Sequence, residues 1–225
     1  MDDELSYSSQ RHRMVEDQIY ARDIRDPRVL DALRSVPRHR FVPHRERHLA
    51  YTDGPLLIGH DQTISQPYIV ALMTELLELK GDEVVLEVGT GSGYQAAILG
   101  LLAREVHTIE RHAELAARAQ GVLEEMALAN PVFSTVVHVH VGDGSAGLPE
   151  YAPYQAIIIT AAAPSVPQPL FDQLADGGRM VLPVGSLGGQ VLERWVRCGD
   201  QFSRQVITAV AFVPLRGEYG WEEDW

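Results

Sequence analysis

The chain has 225 residues, 45% of them hydrophobic and 22% charged, enough for one well-cored domain with small additions and without a stretch long enough to span a membrane. Nineteen Lys and Arg against 31 Asp and Glu give a formal net charge of −12, which argues against a nucleic-acid partner, because phosphate backbones are bound by Lys and Arg. The single cysteine, Cys198, leaves no internal disulfide framework and no Cys-based zinc site, and the start MDDELSYSSQ lacks the blocks of a secretory signal, so a cytoplasmic location is expected.

In chain order, residues 1–10 are polar without periodicity and read as a disordered tail. Residues 14–21 and 29–36 read as short helices, the second with Val29, Leu30, Leu33 and Val36 on one face. Pro37 ends it, and residues 38–43 are a proline-bounded connector. Residues 11–50 thus read as an N-terminal helical lobe of a single domain spanning 11–216. Residues 51–67 are rich in turn formers, with 56–58 as a short strand. Residues 69–79 form a strong helix, with Pro67 just inside its start and Gly81-Asp82 at its close.

Glu83 to Tyr94 reads EVVLEVGTGSGY. Val84, Val85, Leu86 and Val88 make the apolar run of a parallel strand buried on both faces. The run breaks into Gly89-Thr90-Gly91-Ser92-Gly93, and residues 94–102 have the composition of a helix packing back on the sheet. Glycines in such a turn tolerate positive φ and admit a ligand to the backbone, and the helix start offers unpaired N–H groups. The spacing is G-x-G-x-G, not the G-x-G-x-x-G of dinucleotide sites. Glu87, inside the strand, would oppose a pyrophosphate and suit a cationic ligand.

Further strands are expected at 105–110, 135–141, 154–160 and 179–184, with helices at 113–129 and 167–174. Gly177-Gly178 is read as the C-cap of the last helix. Residues 191–197 and 205–213 read as a closing hairpin, and 217–225 as an acidic, aromatic tail. Alternating strands and helices predict an α/β fold, a doubly wound and largely parallel sheet with helices on both faces. Its strand ends carry Gly89 to Gly93, Glu110, and Asp143-Gly144, where open α/β sheets bind ligands.

VVLEVGTGSGY resembles motif I of S-adenosylmethionine-dependent methyltransferases with a Rossmann-like sheet. Gln62-Thr63-Ile64-Ser65-Gln66-Pro67-Tyr68, VLDALRSVPRHRFVP (29–43), GDG (142–144), LFDQLADGGRMVLPVG (170–185) and FVPL (212–215) resemble, in order, the protein-L-isoaspartate O-methyltransferase family. The chain departs from that family at Gln155, where many members carry an acid. The resemblance implies methyl transfer from S-adenosyl-L-methionine to the carboxylate of L-isoaspartyl residues in damaged proteins, which starts repair through a succinimide. It implies a cofactor pocket made by Gln62, Thr63, Ile64, Ser65, Glu87, Gly89, Thr90, Gly91, Gly93, Glu110, Asp143 and Gly144. The glycine turn would take the amino-acid end, Glu110 the ribose diol and Asp143 the adenine amino group.

Ser65 is the expected catalytic residue, orienting the acceptor carboxylate; a plain helix cap is the competing reading. Since a carboxylate is already ionised at neutral pH, no general base is needed and no metal is expected. His44 and His48 have a helical ligand spacing without a third ligand, while His138 and His140 share a strand face. Trp221 and Trp225 belong either to a mobile tail or to a lid over the cofactor. Isoaspartyl peptides are the expected partners, with no nucleic acid or membrane, and the protein is expected to be a monomer. Alternatives left open are a carboxyl methyltransferase acting on aspartate of a peptide natural product, and a non-catalytic cofactor-binding module.

Overall fold

The computed structural model describes residues 2–131, 136–186 and 188–222. Five parallel strands and a closing hairpin form one seven-stranded sheet in the order β5-β4-β3-β6-β7-β8-β9. The strands are β3 (Val84–Val88), β4 (Glu105–Glu110), β5 (Val137–Val141), β6 (Tyr154–Ile159), β7 (Leu174–Ser186), β8 (Gly189–Cys198) and β9 (Gln201–Val210). Strands β3 to β7 pair in parallel, whereas β7, β8 and β9 pair antiparallel. Strand order reverses between β3 and β6, so a crevice opens at their carboxyl ends.

Alternation along the strands divides the interior in two. Val85, Ala156, Ile158 and Val181 face a core shared with α3 (Pro67–Leu76), α4 (Tyr94–Gly100), α5 (Ala113–Ala129) and the N-terminal lobe. Leu86, Val88, Ile157, Ile159, Met180 and Leu182 face a second core with Leu148 and with Leu170 of α6 (Gln168–Gln173). Glu87 falls in register with Val85, on the lobe side.

The lobe departs from expectation at its start. Residues 2–10, expected to be disordered, belong to α1 (Asp2–Arg13), which continues through a π-helical turn at Met14–Ile19. Tertiary contacts supply the order that periodicity does not: Tyr7 stacks on His39 with ring centroids 4.1 Å apart, and the Arg11 Nε donates to the Arg34 carbonyl at 2.6 Å. Helix α2 (Pro27–Ser35) follows, capped by Asp26, whose carboxylate accepts from the Arg28 N–H. Gly177-Gly178 is not a helix cap. Helix α6 ends at Gln173, and both glycines lie in β7, where pairing with β6 skips from Leu174 to Arg179.

A two-stranded hairpin, β1 (Leu56–Gly59) and β2 (Gln62–Ile64), precedes α3. Its turn places His60 and Asp61 at φ of 52° and 56°, the left-handed pair that a tight hairpin requires. The third sheet strand begins at Val137; Thr135, expected to start it, lies outside the described residues. No helix among the described residues is long and apolar enough to cross a membrane.

Candidate active site

The carboxyl ends of β3, β4 and β6 and the β1–β2 hairpin enclose a cleft of about 940 Å³. Every site residue expected from sequence lines it except Gly93 and Asp143. Gln62, Thr63, Ile64 and Ser65 come from β2 and its exit, which places the hairpin over the glycine turn; the Ile58 side chain of β1 lies over Gly91.

The turn itself is built for backbone access. Gly89 has φ of +97°, and a Cβ there would collide with the Thr160 hydroxyl, which donates to the Gly89 carbonyl at 2.7 Å. The Gly89 and Thr90 N–H groups donate back to the Ile109 carbonyl. The Thr90 hydroxyl meets that of Thr108 at 2.6 Å. Gly91 donates its N–H to Glu110 Oε2 at 2.9 Å, and His112 donates to Oε1 at 3.0 Å. Each carboxylate oxygen of Glu110 keeps a further lone pair, directed from a buried position that lines the cleft.

Glu87 is fully buried, and neither of its carboxylate oxygens has a partner of hydrogen-bonding geometry. Burial pushes its carboxyl up to about 8; the nearby Thr108 hydroxyl offsets part of this and the Glu110 charge adds to it. An orphaned acid lining a cleft is a demand for a cation, because a positive ligand both ionises it and satisfies its lone pairs. Together with a glycine cradle free of Cβ atoms and the Glu110 lone pairs, this donor set fits S-adenosylmethionine, whose ammonium, amino-acid backbone and ribose need those three things.

The two exceptions sit just outside the cleft lining. Gly93 (φ +86°) is the N-cap of α4, and its Cα approaches α5 so closely that a Cβ would sit 3.1 Å from that of Ala119. Asp143, expected to receive the adenine amino group, turns its carboxylate onto Ser145 (N at 2.9 Å, Oγ at 2.7 Å) and the Glu218 N–H (2.7 Å). Burial alone would raise its pKa; those hydrogen bonds, with help from Arg111, outweigh burial and hold it below the usual carboxylate range. Its neighbour Gly144 does line the cleft.

Ser65 precedes α3, but the helix N-cap is Gln66, without a side-chain cap, so a capping role does not account for the serine. It lines both the cleft and a second cavity of about 980 Å³, formed also by Pro55, Gln66, Ile69 and residues 209–213. Thr63, Thr160 and Val213 are shared with it, so two compartments meet along this seam.

Sequence reasoning missed Thr160, Tyr94 and Arg38. Thr160 was detectable as the residue ending a strand. Tyr94, the first residue of α4, lines the cleft with a buried hydroxyl lacking a partner, and the Arg38 guanidinium lies 4.9 Å from its ring centroid. Gln155, the departure from the family pattern, accepts from the Val84 N–H at 2.8 Å, a link between the amino ends of the neighbouring inner strands β3 and β6, away from the cleft. Trp221 is not part of the cleft lining; its Nε1 donates to the Ala162 carbonyl, while Trp225 lies outside the described residues.

His44, His48, His138 and His140 stand apart from the cleft lining. His44 and His48 lie in a 3-10 helix (His44–Leu49), whose three residues per turn separate positions four apart. His138 and His140 both stack on His107. Among the described residues no group of three or more His, Cys, Asp or Glu could hold a metal ion.

Comparison with known proteins adds a consistent set of findings. Residues 9–220 match the family model of protein-L-isoaspartate(D-aspartate) O-methyltransferases. A protein-L-isoaspartate O-methyltransferase of Methanoregula boonei is 53% identical over 215 residues, covering 96% of either chain. One from Geobacter metallireducens is 50% identical over 218 residues, covering 96% of this chain and 98% of its own. Among solved structures, a protein-L-isoaspartate O-methyltransferase superposes with a TM-score of 0.77 at 26% identity, covering 87% of this chain and 63% of that chain. A Plasmodium falciparum protein solved with S-adenosyl-L-homocysteine gives 0.76 at 24% identity, covering 92% and 98%, which supports the fold.

Proposed function

The chain belongs to the protein-L-isoaspartate(D-aspartate) O-methyltransferase family, and on that premise we propose that it transfers the methyl group of S-adenosyl-L-methionine to the free carboxylate of L-isoaspartyl residues in damaged proteins. The methyl ester then collapses to a succinimide, which begins repair. The observation that carries this reading is the seam at Ser65, where a cleft demanding a cation opens onto a cavity lined without a charged side chain.

When bound, the cofactor supplies an electrophilic methyl group on a cationic sulfur. Glu87 would pair with its ammonium, Gly89 to Gly91 would accept its backbone end, Glu110 would take the ribose diol, and Gln62 to Ile64 would close over it. The Ser65 hydroxyl, at the junction, would orient the acceptor carboxylate in line. No residue needs to remove a proton, since the acceptor is an anion at neutral pH. Burial of the pair helps, because opposite charges ~4 Å apart attract by about 1 kcal/mol in water and about 4 kcal/mol at an effective dielectric near 20. Most of the rate would come from placement.

The described residues form, in this reading, a single catalytic domain that includes α1 and the segment after residue 216, in a cytoplasmic monomer that takes no nucleic-acid or membrane partner; the net charge of −12 supports the exclusion of nucleic acid. The test mixes the protein, labelled S-adenosylmethionine and paired peptides differing only in Asp or isoAsp. Base-labile label on isoAsp alone is expected. Label on Asp alone would point to a peptide-modifying enzyme, and product binding without label to a non-catalytic module.

A further inference from the structure

An anionic acceptor enters a protein of net charge −12 through a cavity whose lining holds no Lys, Arg or His. The adjoining cleft is lined by Arg111, His112 and Arg216, and a further cation lies behind the wall the two share. Arg38 is fully buried and opens a 3-10 turn (Arg38–Phe41). Its Nη2 donates to the Ser65 carbonyl at 2.8 Å and its Nε to the Ala50 carbonyl at 2.8 Å. Its Nη1 has no hydrogen-bond partner, and among the described residues it forms no ion pair. Its guanidinium also lies over the ring of Tyr94, 4.9 Å from the centroid.

Tying two carbonyls together needs only a neutral donor. A permanently charged guanidinium stripped of water and left without an anion is strongly unfavourable, unless an anion joins it in the working complex. We infer that Arg38 is the fixed cation of the acceptor site, a positioning residue that acts through the Ser65 peptide to favour a carboxylate over a neutral group beside it. The two cavities are then sorted by charge: Glu87 receives the cationic donor on one side of the seam and Arg38 the anionic acceptor on the other. This rests on the reading of Ser65 as the acceptor-orienting residue.

The test uses the full chain saturated with S-adenosylhomocysteine and titrates by calorimetry two peptides, one isoaspartyl and one with that carboxylate replaced by a carboxamide. Wild type is expected to prefer the acid, and Arg38→Gln to bind S-adenosylhomocysteine normally while losing that preference by about tenfold, with the loss in kcat/KM residing in KM. Arg38→Lys keeps the charge without the fork and is expected to restore most of the preference. An Arg38→Gln protein that binds S-adenosylhomocysteine and retains the full acid preference overturns the inference and leaves the methyltransferase reading intact. A wild type that binds neither peptide and methylates neither sinks that reading and the inference with it. Should Arg38→Gln not fold, Arg38→Lys decides: preference kept supports the charge role, preference lost with normal product binding refutes it.

Discussion

At the scale of single residues, Glu87 carries a cost in the ligand-free protein that the proposed pairing with a cation would relieve. Its folded-state pKa of about 8 lies above the unfolded carboxylate value, so its contribution is fully present below about pH 4.5 and is lost as pH rises towards 8. At pH 7 the cost to the ligand-free protein is roughly 3 kcal/mol. Glu87→Gln is therefore expected to raise the Tm of the free protein at pH 7 to 8 while weakening S-adenosylmethionine binding at least tenfold. Calorimetry in buffers of differing ionisation enthalpy should also find wild type releasing close to one proton per cofactor bound at pH 7, and Glu87→Gln almost none. Ser65 separates differently, because it touches the junction and not the cradle. Ser65→Ala should lower kcat by roughly 10- to 100-fold, a loss of positioning worth about 1.4–2.7 kcal/mol, and leave S-adenosylhomocysteine affinity within about threefold. Unchanged turnover would remove the serine from the mechanism.

At the scale of elements, the segment after β9 acts as a strap. The Glu218 and Tyr219 N–H groups donate to Asp143 Oδ2 and Ser145 Oγ, and Trp221 donates to the Ala162 and Leu215 carbonyls. Gly217 makes this approach feasible, with φ of +146° and no Cβ to collide with the Asp143 carboxylate. Gly217→Ala should lift the strap, lower Tm by several degrees and weaken S-adenosylhomocysteine binding a few-fold, since Gly144 and Arg216, the neighbours of Asp143 and Gly217, line the cleft; an unaltered melt and affinity would show that the strap bears no weight. The strap also marks where sequence reading stopped. Strands β3 and β6 were legible because a strand buried on both faces needs a nearly continuous apolar run, and Gly89, Glu110 and Gly144 because they sit at or just beyond strand ends. Hairpin β1–β2 was only half legible: its turn uses His60-Asp61 at positive φ instead of the Asn-Gly or Asp-Gly pair that usually announces one. Helix α1 was illegible for a related reason, as its order comes from Tyr7 and Arg11 meeting residues 23 or more positions away. Arg38 was hidden inside a connector because burial of a cation leaves no local pattern.

At the scale of the whole molecule, two opposed titrations set the pH range in which the fold holds. His107 is buried between His140, whose Nε2 lies 3.1 Å from its Nδ1, and Glu105, whose carboxylate lies 3.2 Å from its Nε2, with Tyr151 stacked on its face. Burial lowers the pKa of His107, and likewise those of His140 and His39. For these rings the unfolded chain takes up protons first, so the stability they give is full above the ordinary histidine pKa of about 6.5 and falls away as pH drops below it. Glu87 slopes the other way, losing stability from about pH 4.5 up to 8. Below pH 6.5 the three rings oppose the carboxyl; above it Glu87 acts without that opposition. The ligand-free protein should therefore melt highest near pH 6.5, with Tm declining on both sides. The two limbs have different owners, which makes the profile separable. Saturating S-adenosylmethionine, by holding Glu87 ionised against a cation, should flatten the alkaline limb and leave the acid limb, whereas His107→Gln should make the acid limb shallower, with His140 and His39 still feeding it, and leave the alkaline one. Differential scanning calorimetry from pH 5 to 9 reads both at once, and a cofactor that shifts every point of the curve equally would mean that Glu87 is not where the cation binds.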